Sequence, residues 1–150
     1  MRKLVIALGL ITLLLMPVLA AAQKADKGDA ILGVWFNEEK DAKIEVYKDG
    51  GKYFGKVIWL KNPNDEKGKP KTDIENPDPK LKSRPRLNMI VLTNLAHKDG
   101  SKYVKGKIYD PKSGKTYSAQ AELANPNLLK LRGFIGISLV GRTSEWTRPE

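Results

Sequence analysis

Residues 42–60 read AKIEVYKDGGKYFGKVIWL, and this stretch decides the fold class. In its first half Ile44 and Val46 fall on one side, Glu45 and Tyr47 on the other. A strand sends successive side chains to opposite faces, so this is the pattern of a half-buried strand and not of a helix. Asp49-Gly50-Gly51 follows, and aspartate and glycine tolerate the positive φ that a tight hairpin turn demands. The chain then returns through 52–60, with Tyr53, Gly55, Val57 and Trp59 on one face.

Working outward, the same period repeats. An apolar strand is expected at 31–36 and another at 87–93. In 101–110, Val104, Gly106 and Ile108 share a face opposite Lys105 and Lys107. Pro111-Lys112-Ser113-Gly114 is a turn. Next, 115–123 sets Tyr117, Ala119, Ala121 and Leu123 against Ser118, Gln120 and Glu122. Asn125-Pro126-Asn127 turns the chain again, and 128–135 and 142–148 complete eight strands. Nowhere is there an amphipathic helix longer than two turns. Strands joined by short turns pair antiparallel in sequence order, and closing the meander removes the unpaired edges on which open sheets aggregate. An all-β, eight-stranded antiparallel up-and-down barrel is therefore expected, with a β-sandwich as the alternative.

One segment breaks the pattern. Residues 61–85 hold Pro63, Pro70, Pro77, Pro79 and Pro85 with many charges. Proline removes a ladder donor, so no central strand fits there. A loop of this length in a small domain is functional or mobile more often than a mere connector.

The N-terminus reads as an address. Arg2 and Lys3 precede an uncharged apolar run from Leu4 to Leu19, and Ala20-Ala21-Ala22 offers the small residues of a cleavage site. The run carries Pro17 and is shorter than the roughly 20 residues of a spanning helix. Residues 1–22 are thus expected to be a cleaved signal peptide, 23–30 a flexible lead-in and 31–150 a single barrel domain. The expected location is the periplasm, with secretion as the alternative, and no membrane span remains once the signal is removed. The chain has no cysteine, which excludes lipoprotein anchoring, disulfides and thiolate metal sites.

Charge needs the same correction. The formal net charge is +10, and losing Arg2 and Lys3 leaves +8. Lysines are spread along the chain with acids between them, and no block of five or six like charges occurs. That distribution reads as a solvated surface, with no nucleic-acid partner. A monomer or weak dimer is expected.

Familiar catalytic patterns fail on spacing. Ser113-Gly114-Lys115-Thr116 contains a Gly-Lys-Thr, but Tyr109 stands where a phosphate loop needs glycine, and a strand follows instead of a helix. Gly136-Ile137-Ser138-Leu139-Val140-Gly141 is one residue too long for a nucleophile elbow. His97 is the single histidine, and Lys98-Asp99-Gly100 beside it reads as a solvated turn. Asp73, Glu75 and Asp78 have hard oxygen ligands but lack the EF-hand pattern. No catalytic residue, metal site or cofactor is nominated.

Gly33-Val34-Trp35 in the first strand resembles the Gly-X-Trp signature of lipocalins and related calycins. That resemblance implies a tryptophan plugging the closed end of the barrel, with an arginine from the last strand packed across it. Arg142 or Arg148 can play that part by cation–π stacking. The chain also resembles the exported bacterial proteins of domain of unknown function 2147. The matching segments are Gly33-Val34-Trp35, 51–60, Asn76-Pro77-Asp78-Pro79 with Arg84-Pro85, Ile108-Tyr109-Asp110-Pro111, 113–117 and 130–148. The resemblance implies a lipocalin-like barrel behind a signal peptide and brings no activity. After Arg84-Pro85 it implies an apolar residue and a glycine, where this chain has Arg86, Leu87 and Asn88.

The interior is the remaining candidate site. Gly55, Gly106, Ala119, Ala121 and Gly133 are small inward residues that leave room, beside Tyr53, Trp59 and Tyr117 as walls; alternatively they are packing partners in a filled core. A non-enzymatic protein holding a small hydrophobic or amphipathic ligand is expected. Tyr53, Trp59 and Tyr117 are the expected lining, with Arg84 meeting an anionic head group at the mouth. An envelope interaction module, using the basic surface and the 61–85 loop, is the alternative.

Overall fold

The computed structural model describes residues 26–150, so the expected signal peptide lies outside the described residues. A 3-10 helix, Lys27–Ile31, leads into eight strands: β1 (Gly33–Phe36), β2 (Ala42–Asp49), β3 (Lys52–Leu60), β4 (Ile90–Asp99), β5 (Lys102–Asp110), β6 (Lys115–Asn125), β7 (Leu128–Phe134) and β8 (Gly141–Thr147). Each pairs antiparallel with the next, and β1 meets β8 to close the barrel. This is the up-and-down barrel that the alternation implied. Among the described residues no helix is long and apolar enough to cross a membrane.

Connections alternate between the two ends. The hairpin turns after β2, β4 and β6 share one end with the 3-10 helix. The longer connections after β1, β3, β5 and β7 share the other. At the β2–β3 turn Gly50 and Gly51 both hold positive φ, 53° and 76°, the backbone that matches a tight hairpin to twisted strands.

The described part of the expected lead-in is ordered. Asp26 caps the 3-10 helix through Gly28 N–H, and Ile31 at its end is fully buried. Burial of Ile31 under the barrel floor, with hydrogen bonds to Asp29 and Gly28, fixes this segment, which the polarity of 23–30 concealed.

Three bulges shift the inside–outside pattern that simple alternation predicts. Ile44 faces Val57 and Lys43 faces Trp59, so Ile58 is the extra residue and Trp59 turns outward. In β5 the register shifts between Tyr103 and Gly106, with Lys105 at φ 61°; Tyr103, Gly106 and Ile108 point inward and Val104 does not follow them. In β4, Asn94 at φ 56° puts both Leu92 and Leu95 inside. That strand runs on to Asp99, past the expected end at 93, and His97 sits in it, half-buried against Tyr103 at 5.2 Å between ring centroids.

The core is concentrated toward the end with the helix: Trp35, Tyr53, Leu92, Leu95, Tyr103 and Leu129 are all essentially inaccessible. Gly55 and Gly106 belong to this filled half. A Cβ on Gly55 would lie 2.9 Å from Ile44 Cγ2, and one on Gly106 would lie 2.8 Å from Leu95 Cδ1. There the small residues accommodate large neighbours and leave no space.

Candidate functional site

The helix end is sealed. Trp35 donates from Nε1 to the Ile31 carbonyl at 2.9 Å. Arg148 lies over its ring at 3.8 Å and donates to the carbonyls of Leu32 (2.7 Å) and Ala30 (3.0 Å). Arg142, the other arginine considered for this role, sits at the opposite end, because six residues along β8 span much of the barrel height. Gly33 holds φ 108° with Arg148 Nη1 only 2.7 Å from where a Cβ would stand, so both backbone and space require glycine.

Tyr53 belongs to this seal and not to a ligand wall. Its hydroxyl donates to Asp29 at 2.9 Å, and its ring meets Tyr103 edge-on at 5.6 Å. Burial first, and then the Asp29 carboxylate, push its phenol up to about 12. Lys48 bridges Asp29 and Asp26 at 2.8 and 3.0 Å and, by its hydrogen bond to Asp29 above all, holds that carboxyl below its ordinary value. Tyr103 donates to Gly28 O at 2.8 Å, tying the helix across the floor.

The 61–89 connection is latched to the outer wall. Asp73 is fully buried and accepts from Tyr109 Oη at 2.5 Å, Asn76 Nδ2 at 2.7 Å, and Arg84 Nε and Nη2 at 2.8 Å each. Burial would raise this carboxyl, but the bonds from Tyr109, Asn76 and Arg84 outweigh it and hold it below the ordinary range. Arg84 is therefore committed outside the barrel, 5.6 Å from the Tyr109 ring, and does not stand at the mouth as expected. Trp59 is also outside, packed edge-on against Phe36 at 6.0 Å with Lys43 Nζ 5.3 Å from its ring. The bulge at Ile58 is the reason.

The other end is open. A cleft of about 350 Å³ has an apolar floor that includes Ile44, Val57, Val91, Ile108 and Trp146. A second, of about 460 Å³, adjoins it across Ile108 and Trp146 and is walled by Tyr117, Leu131 and Phe134. Of the four expected ligand residues, Tyr117 alone lines this space. Gly133 faces it too, and a Cβ there would make only ordinary contact with Ile108 and Tyr117, at 3.4 and 3.5 Å.

The rim is charged. Lys112 pairs with Asp41 at 3.1 Å, and Arg142 pairs with Glu38. Arg86 differs. It donates to the carbonyls of Thr72 (2.9 Å) and Pro111 (3.1 Å), and among the described residues no carboxylate pairs with it. It therefore has no direct ion pair, although Glu39, Asp41 and Asp110 line the same cleft. Sequence reasoning noticed Arg86 only as a departure from a pattern. The nearby Asn88 has φ 66°, a conformation that asparagine tolerates.

Size and an apolar floor are ordinary properties of a small-molecule site, and here the floor lies beneath a strongly charged rim. The single histidine, His97, is at the sealed end, where its Nε2 lies 3.0 Å from the Gly100 carbonyl.

The comparisons agree with this architecture. The family model described as "uncharacterized protein conserved in bacteria (DUF2147)" matches residues 33–148. The chain is similar to a solved structure described as protein HP1028 from the human pathogen Helicobacter pylori, which belongs to the lipocalin family. Identity is 25%, the TM-score is 0.69, and the match covers 79% of this chain and 82% of that one. No curated protein sequence matches.

Proposed function

The chain belongs to the bacterial family of domain of unknown function 2147, and from its geometry we propose that it is an exported, non-enzymatic binding protein. The open half of the barrel takes one small, partly apolar ligand with an anionic head. The observation that carries this reading is the juxtaposition of an apolar floor, Ile108 and Trp146, with the unpaired Arg86 at the rim. Apolar burial supplies the attraction, and the guanidinium fixes the orientation of a carboxylate or phosphate. The N-terminal signal directs the barrel to the periplasm, where such ligands are derived from envelope lipids.

Native mass spectrometry after incubation with a lipid extract tests the reading. The folded barrel is expected to retain one ligand mass. Ile108→Trp, which fills the floor, is expected to abolish retention, and Arg86→Gln to lower affinity about 10-fold for anionic ligands only, the loss of one charge-assisted contact. A wild-type barrel that retains nothing overturns it. So does retention that survives Ile108→Trp.

A further inference from the structure

The β7–β8 connection has a composition found in no other turn of the barrel. Ile135, Ile137, Leu139 and Val140 are 68, 62, 85 and 64% exposed in a stretch of six residues. Contiguous apolar exposure of this kind on a small domain marks a surface that meets something. The tip is also built. Ile135 N–H donates to Val140 O at 3.3 Å and Val140 N–H to Ile137 O at 3.1 Å. Arg132 reaches up from β7 and donates to Ser138 O at 2.6 Å and Leu139 O at 3.3 Å. Backbone polar groups are thus tied inward while four aliphatic side chains project outward.

We propose that this tip is a membrane-docking element that seats the open end of the barrel on an anionic lipid bilayer. Its shape favours a bilayer over a protein. Four side chains on a convex turn fall well short of the roughly 20–30 residues a side that a standard protein interface uses. A fluid lipid surface accepts such a tip without a matching groove.

Charge points the same way. Arg132, at the base of the tip, donates to carbonyls and to Thr143 Oγ1 (3.0 Å) and, among the described residues, pairs with no carboxylate. Lys115 stands on the same rim, exposed, where β6 begins. The chain carries a formal +10, and +8 without residues 1–22. A cationic surface is drawn to anionic lipid, and the apolar tip then anchors it.

The tip is continuous with the interior. Ile135 and Val140 line the second cleft together with Tyr117 and Trp146. Docking therefore brings the mouth to the acyl boundary, and an amphipathic molecule passes between bilayer and barrel without crossing water. The docking itself stands on the tip and its charges and does not require that the cleft be occupied.

The closed barrel is complete within the described residues, so the test uses chain 23–150, which avoids the apolar run at the N-terminus. Co-sedimentation is measured with phosphatidylglycerol–phosphatidylcholine vesicles and with phosphatidylcholine alone. The wild type is expected to bind the anionic vesicles, less so in high salt. The double variant Ile137→Ser/Leu139→Ser is expected to lose about 10-fold or more in partition with its thermal unfolding unchanged. In Leu139→Trp, brominated acyl chains are expected to quench the added emission. Three outcomes overturn the proposal: no wild-type binding to anionic vesicles, equal binding by the double variant, or a concentration-dependent dimer that the double variant abolishes.

Discussion

The two ends of the barrel are made from the same eight strands and treat their polar and apolar groups in opposite ways. At the sealed end the charged groups that reach the floor are engaged locally. Arg148 caps Trp35 and two carbonyls, Lys48 joins Asp26 to Asp29, and Tyr53 and Tyr103 fasten the 3-10 helix. At the open end Arg86 is unpaired by any acid among the described residues, and Ile135, Ile137, Leu139 and Val140 face solvent. Both arginines donate to backbone carbonyls, but the one at 148 is stacked over Trp35 while the one at 86 lines an open cleft. Where the fold satisfies its groups internally it becomes rigid; where it leaves them unmet a surface remains for something else.

The contrast can be broken most severely at the floor. Trp35→Ala removes a fully buried aromatic side chain and is expected to destabilise the barrel by about 3–5 kcal/mol in urea unfolding. Chain 23–150 then unfolds at a much lower denaturant midpoint or does not fold. A midpoint within error of wild type would show that the sealed end is not the stabilising half.

Arg148→Ala against Arg142→Ala sharpens the comparison directly. Losing Arg148 uncovers the Trp35 ring and leaves partly buried carbonyls unpaired, for an expected cost of about 2 kcal/mol. Losing Arg142 breaks one exposed ion pair and is expected to change stability by less than about 0.5 kcal/mol. Equal costs would erase the distinction between the two ends.

Asp73→Asn probes the latch on the outer wall and is expected to cost about 2 kcal/mol, since three donors lose a charged acceptor. Its pH signature has a definite sign. The folded carboxyl is held below the ordinary value, so its contribution is present above the unfolded carboxylate pKa of about 3.9 and is lost as pH falls through the lower folded value. Hydrogen-exchange protection in 61–89, taken relative to the intrinsic rate at each pH, is expected to fall first as the solution is acidified, and Asp73→Asn to reproduce that loss of protection near neutral pH.

The smallest effect belongs to the open tip. Leu139→Ser is expected to leave thermal unfolding within about 0.5 kcal/mol of wild type, because an 85% exposed side chain contributes little to the core. A larger loss would mean that the tip packs in solution against something other than water.

The fold was legible because it rests on period and punctuation. Ile44–Val46, Asp49-Gly50-Gly51 and Tyr117–Ala119–Ala121 each carry a local signal that a single window reveals. The site was legible only where alternation ran unbroken. Tyr117 lies in such a stretch and lines the cleft. Trp59 stands beyond a bulge whose only cause is the pairing of Ile44 and Lys43 with a different strand, so parity counted along β3 alone put it inside. Arg84 was misplaced for a related reason. Nothing local to Ser83-Arg84-Pro85 says that Tyr109, on β5, will complete a pocket around Asp73 on the outer face. Arg142 and Arg148 share one strand face, and which end each occupies follows only from the direction in which β8 closes the ring.

That closure has a kinetic consequence. β1 shares four register pairs with β2, and β7 shares seven with β8, whereas β1 and β8 are joined through the single pair Phe36 with Thr147. It is also the ladder contact of greatest sequence separation, so the loop entropy of joining the two chain ends is met before any partner strand offsets it. The seam is therefore expected to be the last ladder to form and the first to part. Arg148, reaching 116 residues back to Leu32, is its clasp. A barrel missing that clasp is expected to fold at nearly the wild-type rate and to unfold faster, so the side chain that completes the floor also sets the lifetime of the closed ring.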